Sequence, residues 1–385
     1  MFRFAAFASI CVMMLACGME SWCAGGTECV NEPPPPGCTQ VSSWVTLPPG
    51  FGGAASLSVA VDTSNGNARV GFRAGGAFPC GRELTFWHNS RDSRAYPAGV
   101  GRNHSFNVML LEHPDEWHPV TVRIVLANGY RIGFDENLDG TFRGEPGVFS
   151  RLFKEADGSY RLYTNDSPDM TDDGQVCYTF GPADSVGRCR LLSVATAAGT
   201  FSFTYVASGN GVGEVYRVRE DATGREAVFA YDASNRLTSV TSMDQVTTTI
   251  SYNASGDVSA VEGPWGALTF GYDQNHNVTL VTDGLEGHCA SLAYISSARA
   301  VEFRDTAAQT SSFTYTVGST DSVISTVYNG YGQPAVTYDF TPNHLVAAVS
   351  QPGVPRMCYT YNADKCLIGQ TTCSSLKGPL MASAP

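Results

Sequence analysis

The stretch FAYDASNRLTSVT, residues 229–241, has apolar side chains on both sides of a short turn-forming run. Phe229 and Tyr231 would share one face of a strand, because alternate side chains of a strand point to the same side. The polar run 232–235 follows, and short polar residues of this kind accept the backbone geometry of a tight turn. The stretch therefore predicts a β-hairpin: strand, turn and strand.

The hairpin pattern recurs along the second half of the chain. A tyrosine returns every 20 to 23 residues, with an apolar residue two positions before it in every copy. A fixed period of this length is the signature of a repeat protein, in which each unit buries its apolar face against the next. Asp232 and Asp273 directly follow the first and third tyrosines, and the predicted repeat-defining tyrosines are Tyr231, Tyr252, Tyr272, Tyr294, Tyr315, Tyr338 and Tyr361.

Two parts of the chain resemble a known family. The run Tyr231-Asp232-Ala233-Ser234-Asn235-Arg236-Leu237 resembles the YD repeat of bacterial Rhs proteins, wall-associated proteins and animal teneurins, with Asn235 where the usual pattern has glycine. Upstream, Phe86-Trp87-His88-Asn89-Ser90-Arg91 and then Gly99-Val100-Gly101 resemble the amino-terminal region found ahead of such repeats. Arg102 occupies the place where that region has a tryptophan.

The resemblance implies an all-β fold. The YD-repeat hairpins would stack into a curled, spiral sheet, preceded by a β-rich amino-terminal region. In the family, long arrays close into a hollow shell around a toxin domain. The predicted organisation is a signal peptide (1–16), a Cys/Pro-rich tether (17–40), a β-rich Rhs-like region (41–200), a YD-repeat array (201–376) and a tail (377–385).

The amino terminus has the pattern of an export signal. Arg3 precedes an apolar run, residues 4–16, that suits a signal peptide and is too short to span a bilayer. Met14-Leu15-Ala16-Cys17 resembles a bacterial lipobox, so we expect lipidation at Cys17. The predicted location is the outer membrane or cell surface as a lipoprotein; otherwise the protein would be secreted or periplasmic.

The number of cysteines agrees with export. Of 12 cysteines, loss of Cys11 with the signal and lipidation of Cys17 leave ten, an even number as a disulfide framework requires. Two pairings suggest themselves from position. Cys177 and Cys189 could meet across a hairpin, and a carboxy-terminal cluster could staple the last repeat; that cluster is Cys358, Cys366 and Cys373.

Catalytic patterns are weak, and we expect no enzyme activity and no cofactor. Asp135, Asn137 and Asp139 match the first half of a calcium-binding loop, but Pro146 stands where the bidentate glutamate belongs, so a solvated turn is favoured. The segment 113–118 carries two histidines and two acidic residues, and it leaves a metal-dependent hydrolase as the residual alternative. Flanking prolines argue against the helix that such a site needs.

Charge and composition narrow the partners. The chain has 385 residues and a net charge of −12, which excludes nucleic acid as a partner because phosphate contacts need a basic surface. Trp265, set between glycines in a connection, is the candidate for an exposed contact. The sequence favours a non-enzymatic structural or binding module for a protein or glycan at the cell surface, with the membrane reached through Cys17. The alternative is a remnant or partner component of an Rhs-type toxin-encapsulating shell.

Overall fold

The computed structural model describes residues 42, 44–47, 57–113, 121–129, 131–165, 175–284, 287–295, 297–305, 310–317, 323–329 and 333–373. These residues form β-strands and a single 3₁₀ turn, Pro79–Gly81, without any α-helix. None of the described segments is a helix that could cross a bilayer. The predicted all-β fold is confirmed.

Five strands near the amino terminus form an antiparallel sheet, which we call the inner sheet. Four of its strands are buried along nearly their whole length, on both faces. A sheet buried on both faces needs cover from other parts of the chain. In spatial order the strands are β1 (Trp44–Leu47), β2 (Leu57–Asp62), β3 (Ala68–Arg73), β4 (Thr85–Asn89) and β7 (Arg102–His104), with the two-stranded ladder β5 (Ala95–Tyr96) and β6 (Gly99–Val100) lying between β4 and β7 in sequence.

The rest of the chain builds one long antiparallel sheet, the array, in which each strand pairs with the next along the chain. The predicted boundary at residue 200 falls inside β16, and pairing continues through it. The array strands are β12 (Arg151–Lys154), β13 (Tyr160–Asn165), β14 (Gln175–Phe180), β15 (Arg188–Thr196), β16 (Gly199–Tyr205), β17 (Val215–Glu220), β18 (Glu226–Tyr231), β19 (Leu237–Thr241), β20 (Thr247–Tyr252), β21 (Val258–Gly263), β22 (Gly266–Tyr272), β23 (Val278–Asp283), β24 (Gly287–Tyr294), β25 (Ala300–Asp305), β26 (Thr310–Val317), β27 (Val323–Asn329), β28 (Gln333–Phe340), β29 (Val346–Gln351), β30 (Val354–Tyr361) and β31 (Leu367–Thr372).

A four-stranded meander connects the inner sheet to the array. It consists of β8 (Met109–Glu112), β9 (Val122–Val125), β10 (Arg131–Glu136) and β11 (Phe142–Gly144). β8 pairs with the first part of β15, through residues 188–190, while the last part of β15 pairs with β16. The sheet therefore branches at β15.

The array curls around the inner sheet. At one end the backbone N–H of Cys80 donates to Glu220 on β17, and at the other the N–H of Ala300 on β25 donates to the carbonyl of Gly66. Between these two contacts, Phe229 of β18 and Phe270 of β22 pack on Phe106 and Phe72, so the array strands along this stretch face one shared core. The prediction of a curled sheet is confirmed, and its inner face is covered by the chain's own amino-terminal strands.

Five of the repeat tyrosines are followed, four positions on, by a residue in the left-handed conformation. The family's glycine at this place suits that conformation because it lacks a Cβ. Asn235, predicted to accept it, has a φ of 60°. Later turns place other residues there, namely Gly256 (φ 85°), His276 (65°), Ala298 (58°) and Lys365 (61°).

One repeat is out of phase with its sequence. The tyrosine position, where Tyr231 pairs with Leu237 beside a β-bulge, is taken in β28 by Phe340, which pairs with Val346 beside a bulge. Tyr338 instead lies two residues earlier, in the place of the apolar partner. The assignment of Tyr338 as a repeat tyrosine was therefore wrong. Tyr338 and Phe340 are both aromatic and point to the same face of the strand, so periodicity alone cannot distinguish them.

A test of the turn geometry replaces Ala298 by glycine. Alanine pays about 1 kcal/mol for the left-handed conformation that glycine adopts freely, so Ala298→Gly should raise the free energy of unfolding by up to about 1 kcal/mol. The matched control, Ala293→Gly on the exposed face of β24, should lower it by about 0.5–1 kcal/mol. Urea unfolding of the three proteins measures both changes. Destabilisation by Ala298→Gly would contradict the assigned turn.

Candidate functional site

The repeat tyrosines form a ladder of hydrogen bonds between successive hairpins. Each hydroxyl donates to the backbone carbonyl of a residue 14 to 16 positions earlier, at the start of a strand in the preceding hairpin. Burial raises the pKa of Tyr231, Tyr294 and Tyr315, so these hydroxyls stay protonated donors. The pairs are Tyr231 with Val215 (2.7 Å), Tyr252 with Leu237 (2.7 Å), Tyr272 with Val258 (2.9 Å), Tyr294 with Val278 (2.9 Å), Tyr315 with Ala300 (2.8 Å) and Tyr361 with Val346 (2.9 Å).

The ladder has an earlier member that the sequence analysis missed. Tyr205, the last residue of β16, donates its hydroxyl to the carbonyl of Leu191 at 2.7 Å. A longer connection separates it from Tyr231, so a search at the repeat interval passes over it. The apolar Phe203 two residues before it was the available signal. The ladder therefore begins before the first recognisable YD motif.

The acidic residue after the tyrosine shapes the turn. The Asp232 carboxylate accepts the backbone N–H groups of Ser234 (2.8 Å) and Arg236 (2.9 Å), and Arg236 pairs with it through its guanidinium. Burial acts to raise the pKa of Asp232, but the hydrogen bonds and charge from Arg236 outweigh it and lower the pKa. Asp273 holds Asn275 and Asn277 in the same manner. These carboxylates are occupied by their own turns.

At two of the repeat turns, the first residue after the turn also connects the array to the amino-terminal region. In Leu237 the carbonyl accepts the Tyr252 hydroxyl, while the N–H donates to the carbonyl of Pro97 at 2.8 Å. Ala300 repeats this arrangement, with its carbonyl bonded to Tyr315 and its N–H bonded to the carbonyl of Gly66 at 2.8 Å. The bulge beside the ladder tyrosine interrupts strand pairing there, so this backbone N–H can bond elsewhere.

The Asn-Ser-Arg run of the amino-terminal region lies in the same interface. The Ser90 hydroxyl donates to the carbonyl of Ala298 in an array turn at 2.9 Å. Asn89 donates to the carbonyl of Asn128 at 2.7 Å, and Arg91 to the carbonyl of Asn65 at 2.8 Å. The residues that carry the family resemblance thus connect the inner sheet to the neighbouring parts of the chain.

Arg102, at the position of the expected tryptophan, is 1% exposed. Its guanidinium donates to the Tyr272 hydroxyl at 3.1 Å and lies 4.6 Å from the centre of the Phe270 ring. A charged planar group over an aromatic face is stabilised by the ring quadrupole, which partly offsets its desolvation. Arg102 therefore lies between the Phe72 ring of the inner sheet and the Phe270 ring of β22.

Two buried histidines complete the interface. The His104 ring stacks on Phe229 of β18 with centroids 5.3 Å apart, and the His88 ring meets Tyr272 edge-on at 6.1 Å. Burial lowers the pKa of His104 to about 3. Burial, followed by the nearby Arg102 charge, lowers the pKa of His88 well below its ordinary value. Both rings are therefore neutral packing groups in the folded protein.

Trp265 is half-buried and packs against the core, so its prediction as an exposed contact was wrong. The indole occupies the space that side chains at Gly75 of the amino-terminal region and Gly263 of β21 would need. The flanking glycines, which suggested an exposed connection, make room for the ring instead.

The predicted disulfide framework is only partly correct. Cys358 of β30 is bonded to Cys373, the residue directly after β31, and Cys366 is disulfide-bonded as well, so a stapled last repeat is confirmed. Cys177 and Cys189 are free thiols, because β14 pairs Cys177 with Ala195 while Cys189 pairs with a residue of β8. Cys80 is also a free thiol, so ten cysteines do not all pair.

The calcium candidate is a hairpin turn between β10 and β11. Asp139 accepts the Thr141 N–H at 3.0 Å and its hydroxyl at 2.6 Å, and Asn137 donates to the same hydroxyl at 2.8 Å. Asp135 faces Arg143 at 3.6 Å. Among the described residues no three metal-binding side chains converge. Cys17 and residues 114–118 of the histidine segment lie outside that part of the chain.

The free thiols show little nucleophilic character. Burial, followed by the charge of Glu220, raises the pKa of Cys80, and burial raises the pKa of Cys189 to about 12. A thiol must ionise to react, so these two are poor nucleophiles near neutral pH.

The interface between the inner sheet and the array consists of packing groups and hydrogen bonds. It holds these two parts of the chain together.

No protein-family model and no curated protein matches the chain. Several solved structures are weakly similar. TcdB2-TccC3-TEV is 14% identical with a TM-score of 0.34, over 79% of this chain and 19% of that one. The Photorhabdus luminescens Tc holotoxin pore is 11% identical with a TM-score of 0.25, over 84% and 23%. This chain spans less than a quarter of either, and TM-scores this low carry no argument about fold or function.

The buried histidines predict a pH dependence of stability. Above the ordinary histidine pKa, the His104 ring is neutral in both the folded and the unfolded protein. Below it, the ring takes up a proton only in the unfolded chain, so the free energy of unfolding decreases as the pH is lowered. From about pH 7 to pH 5, His104→Phe should lose about 2 kcal/mol less unfolding free energy than the wild type. Urea unfolding at both pH values measures this. Equal losses in the two proteins would contradict a neutral buried His104.

Proposed function

We propose that the protein is an exported YD/Rhs-type repeat protein of the cell surface, anchored through lipidated Cys17, that acts as a non-enzymatic structural or binding module. The partner would be a protein or a glycan. The alternative, a component of a toxin-encapsulating shell, requires an empty interior.

One observation carries this proposal: the inner face of the curled array is covered by the chain's own inner sheet. Phe72 of β3 packs on Phe270 of β22 with ring centres 5.5 Å apart, and Phe106 meets Phe229 at 6.2 Å. These residues belong to one continuous core. Because that face is used for folding, the array's outer surface is the part left for partners. This arrangement supports a self-contained module over a container for cargo.

The anchor is tested by a cysteine substitution in the full chain. If Cys17 carries lipid, Cys17→Ser should move the protein from the membrane fraction to the soluble or secreted fraction, since lipid chains supply the membrane affinity. Cys23→Ser, a matched change in the predicted tether, should stay in the membrane fraction. Immunoblots of fractionated cells report the distribution.

Two results would overturn parts of the proposal. Unchanged fractionation of Cys17→Ser removes the anchor. Turnover of a peptide, ester or glycan substrate by the purified full chain removes the non-enzymatic assignment.

A further inference from the structure

The outer face of the first array hairpin carries an exposed aromatic pair. Arg151 and Phe153 of β12 lie opposite Tyr163 and Arg161 of β13, so all four side chains share one face. The opposite face is the buried one, with Leu162 fully buried. Phe153 is 48% exposed, and its ring meets that of Tyr163 nearly at right angles, with centres 5.7 Å apart.

The pair lines an open groove of about 380 Å³. Small-molecule sites in proteins commonly enclose about 300–1,000 Å³, so the groove has room for one or two sugar rings. Its walls mix aromatic and charged side chains, and they are formed by Arg151, Phe153, Lys154, Glu155 and Tyr163.

One cation in this groove has no counter-charge. Lys154 donates to Glu112 at 2.8 Å, and Glu155 pairs with Arg161 at 3.2 Å. Arg151 forms no hydrogen bond or ion pair within the described part of the chain. An exposed, uncommitted guanidinium beside two aromatic rings stands out in a protein with a net charge of −12.

We propose that this groove binds an acidic saccharide of the hexuronate class. The negative faces of the Phe153 and Tyr163 rings attract the polarised C–H groups of a sugar ring. The guanidinium of Arg151 matches a carboxylate, which it can bind through two parallel hydrogen bonds. A single free cation suits one carboxylate and not the phosphate backbone of a nucleic acid. This assignment rests on the proposed binding function and names its ligand class.

The test uses trigalacturonate as the probe and its fully methyl-esterified form as the neutral match. Titrated into the full chain and followed by isothermal calorimetry, trigalacturonate should bind weakly and saturably, with a Kd on the order of 1 mM or below. The ester keeps the sugar rings but has no charged carboxylates, so it should bind at least about fivefold more weakly than trigalacturonate. Equal binding of the two, or none of either, overturns the assignment.

Surface substitutions locate the site without disturbing the core. Phe153→Ala and Arg151→Gln should each weaken trigalacturonate binding by about tenfold. The matched controls are Ile368→Ala, which removes another exposed apolar side chain, and Arg143→Gln, which removes another exposed guanidinium; both should bind like the wild type. Wild-type affinity in the two groove variants overturns the site.

A peptide ligand is separated by a further titration. Triglutamate carries the carboxylates without the sugar rings, so it should bind more weakly than trigalacturonate. Tighter binding of triglutamate would overturn the saccharide class in favour of an acidic peptide. Failure of the groove in these titrations leaves the Cys17 fractionation result untouched, so the two proposals fail separately.

Discussion

The structure depends on the backbone of two residues that directly follow repeat turns, Leu237 and Ala300. At Leu237 the carbonyl receives a tyrosine hydroxyl from the following hairpin, and the N–H bonds to Pro97 of the amino-terminal region. One residue thus joins repeat to repeat and the array to the amino-terminal region. The bulge that precedes it makes this double use available, because it removes the residue from ordinary strand pairing. A net gain of about 1 kcal/mol for each such hydrogen bond accumulates along the ladder.

Curvature follows from that connection. The tyrosines join the hairpins to one another, and hydrogen bonds hold the array to the amino-terminal region at several points, so the array bends around it. The interior is then occupied by a continuous apolar core, and His88, His104 and Arg102 are among its buried polar side chains. Neutral histidines and a guanidinium over an aromatic ring are the forms in which such groups are least costly to bury. The outer face of the array is the side that remains exposed to solvent.

The sequence predicted the repeat well and the docking poorly, for physical reasons. A hairpin depends on residues that are close in sequence. The tyrosine interval and the left-handed turn at Asn235 could therefore be predicted from spacing and residue type. Tyr338 and Phe340 share a face, and spacing could not choose between them. The burial of Trp265 depends on the amino-terminal region, and the pairing of Cys189 with β8 keeps it from Cys177; both of these contacts are distant in sequence. The same is true of the inner sheet, whose contacts with the array span more than a hundred residues and leave no periodic trace.

Amide hydrogen exchange of the full chain, read by mass spectrometry of peptides, tests the central claim most directly. If the inner sheet is an integral part of the array's core, peptides from residues 57–110 and 215–305 should exchange through the same global opening, with the same free energy and the same response to denaturant. Exchange of the inner-sheet peptides through a lower-energy opening, while the array peptides stay protected, would contradict the account.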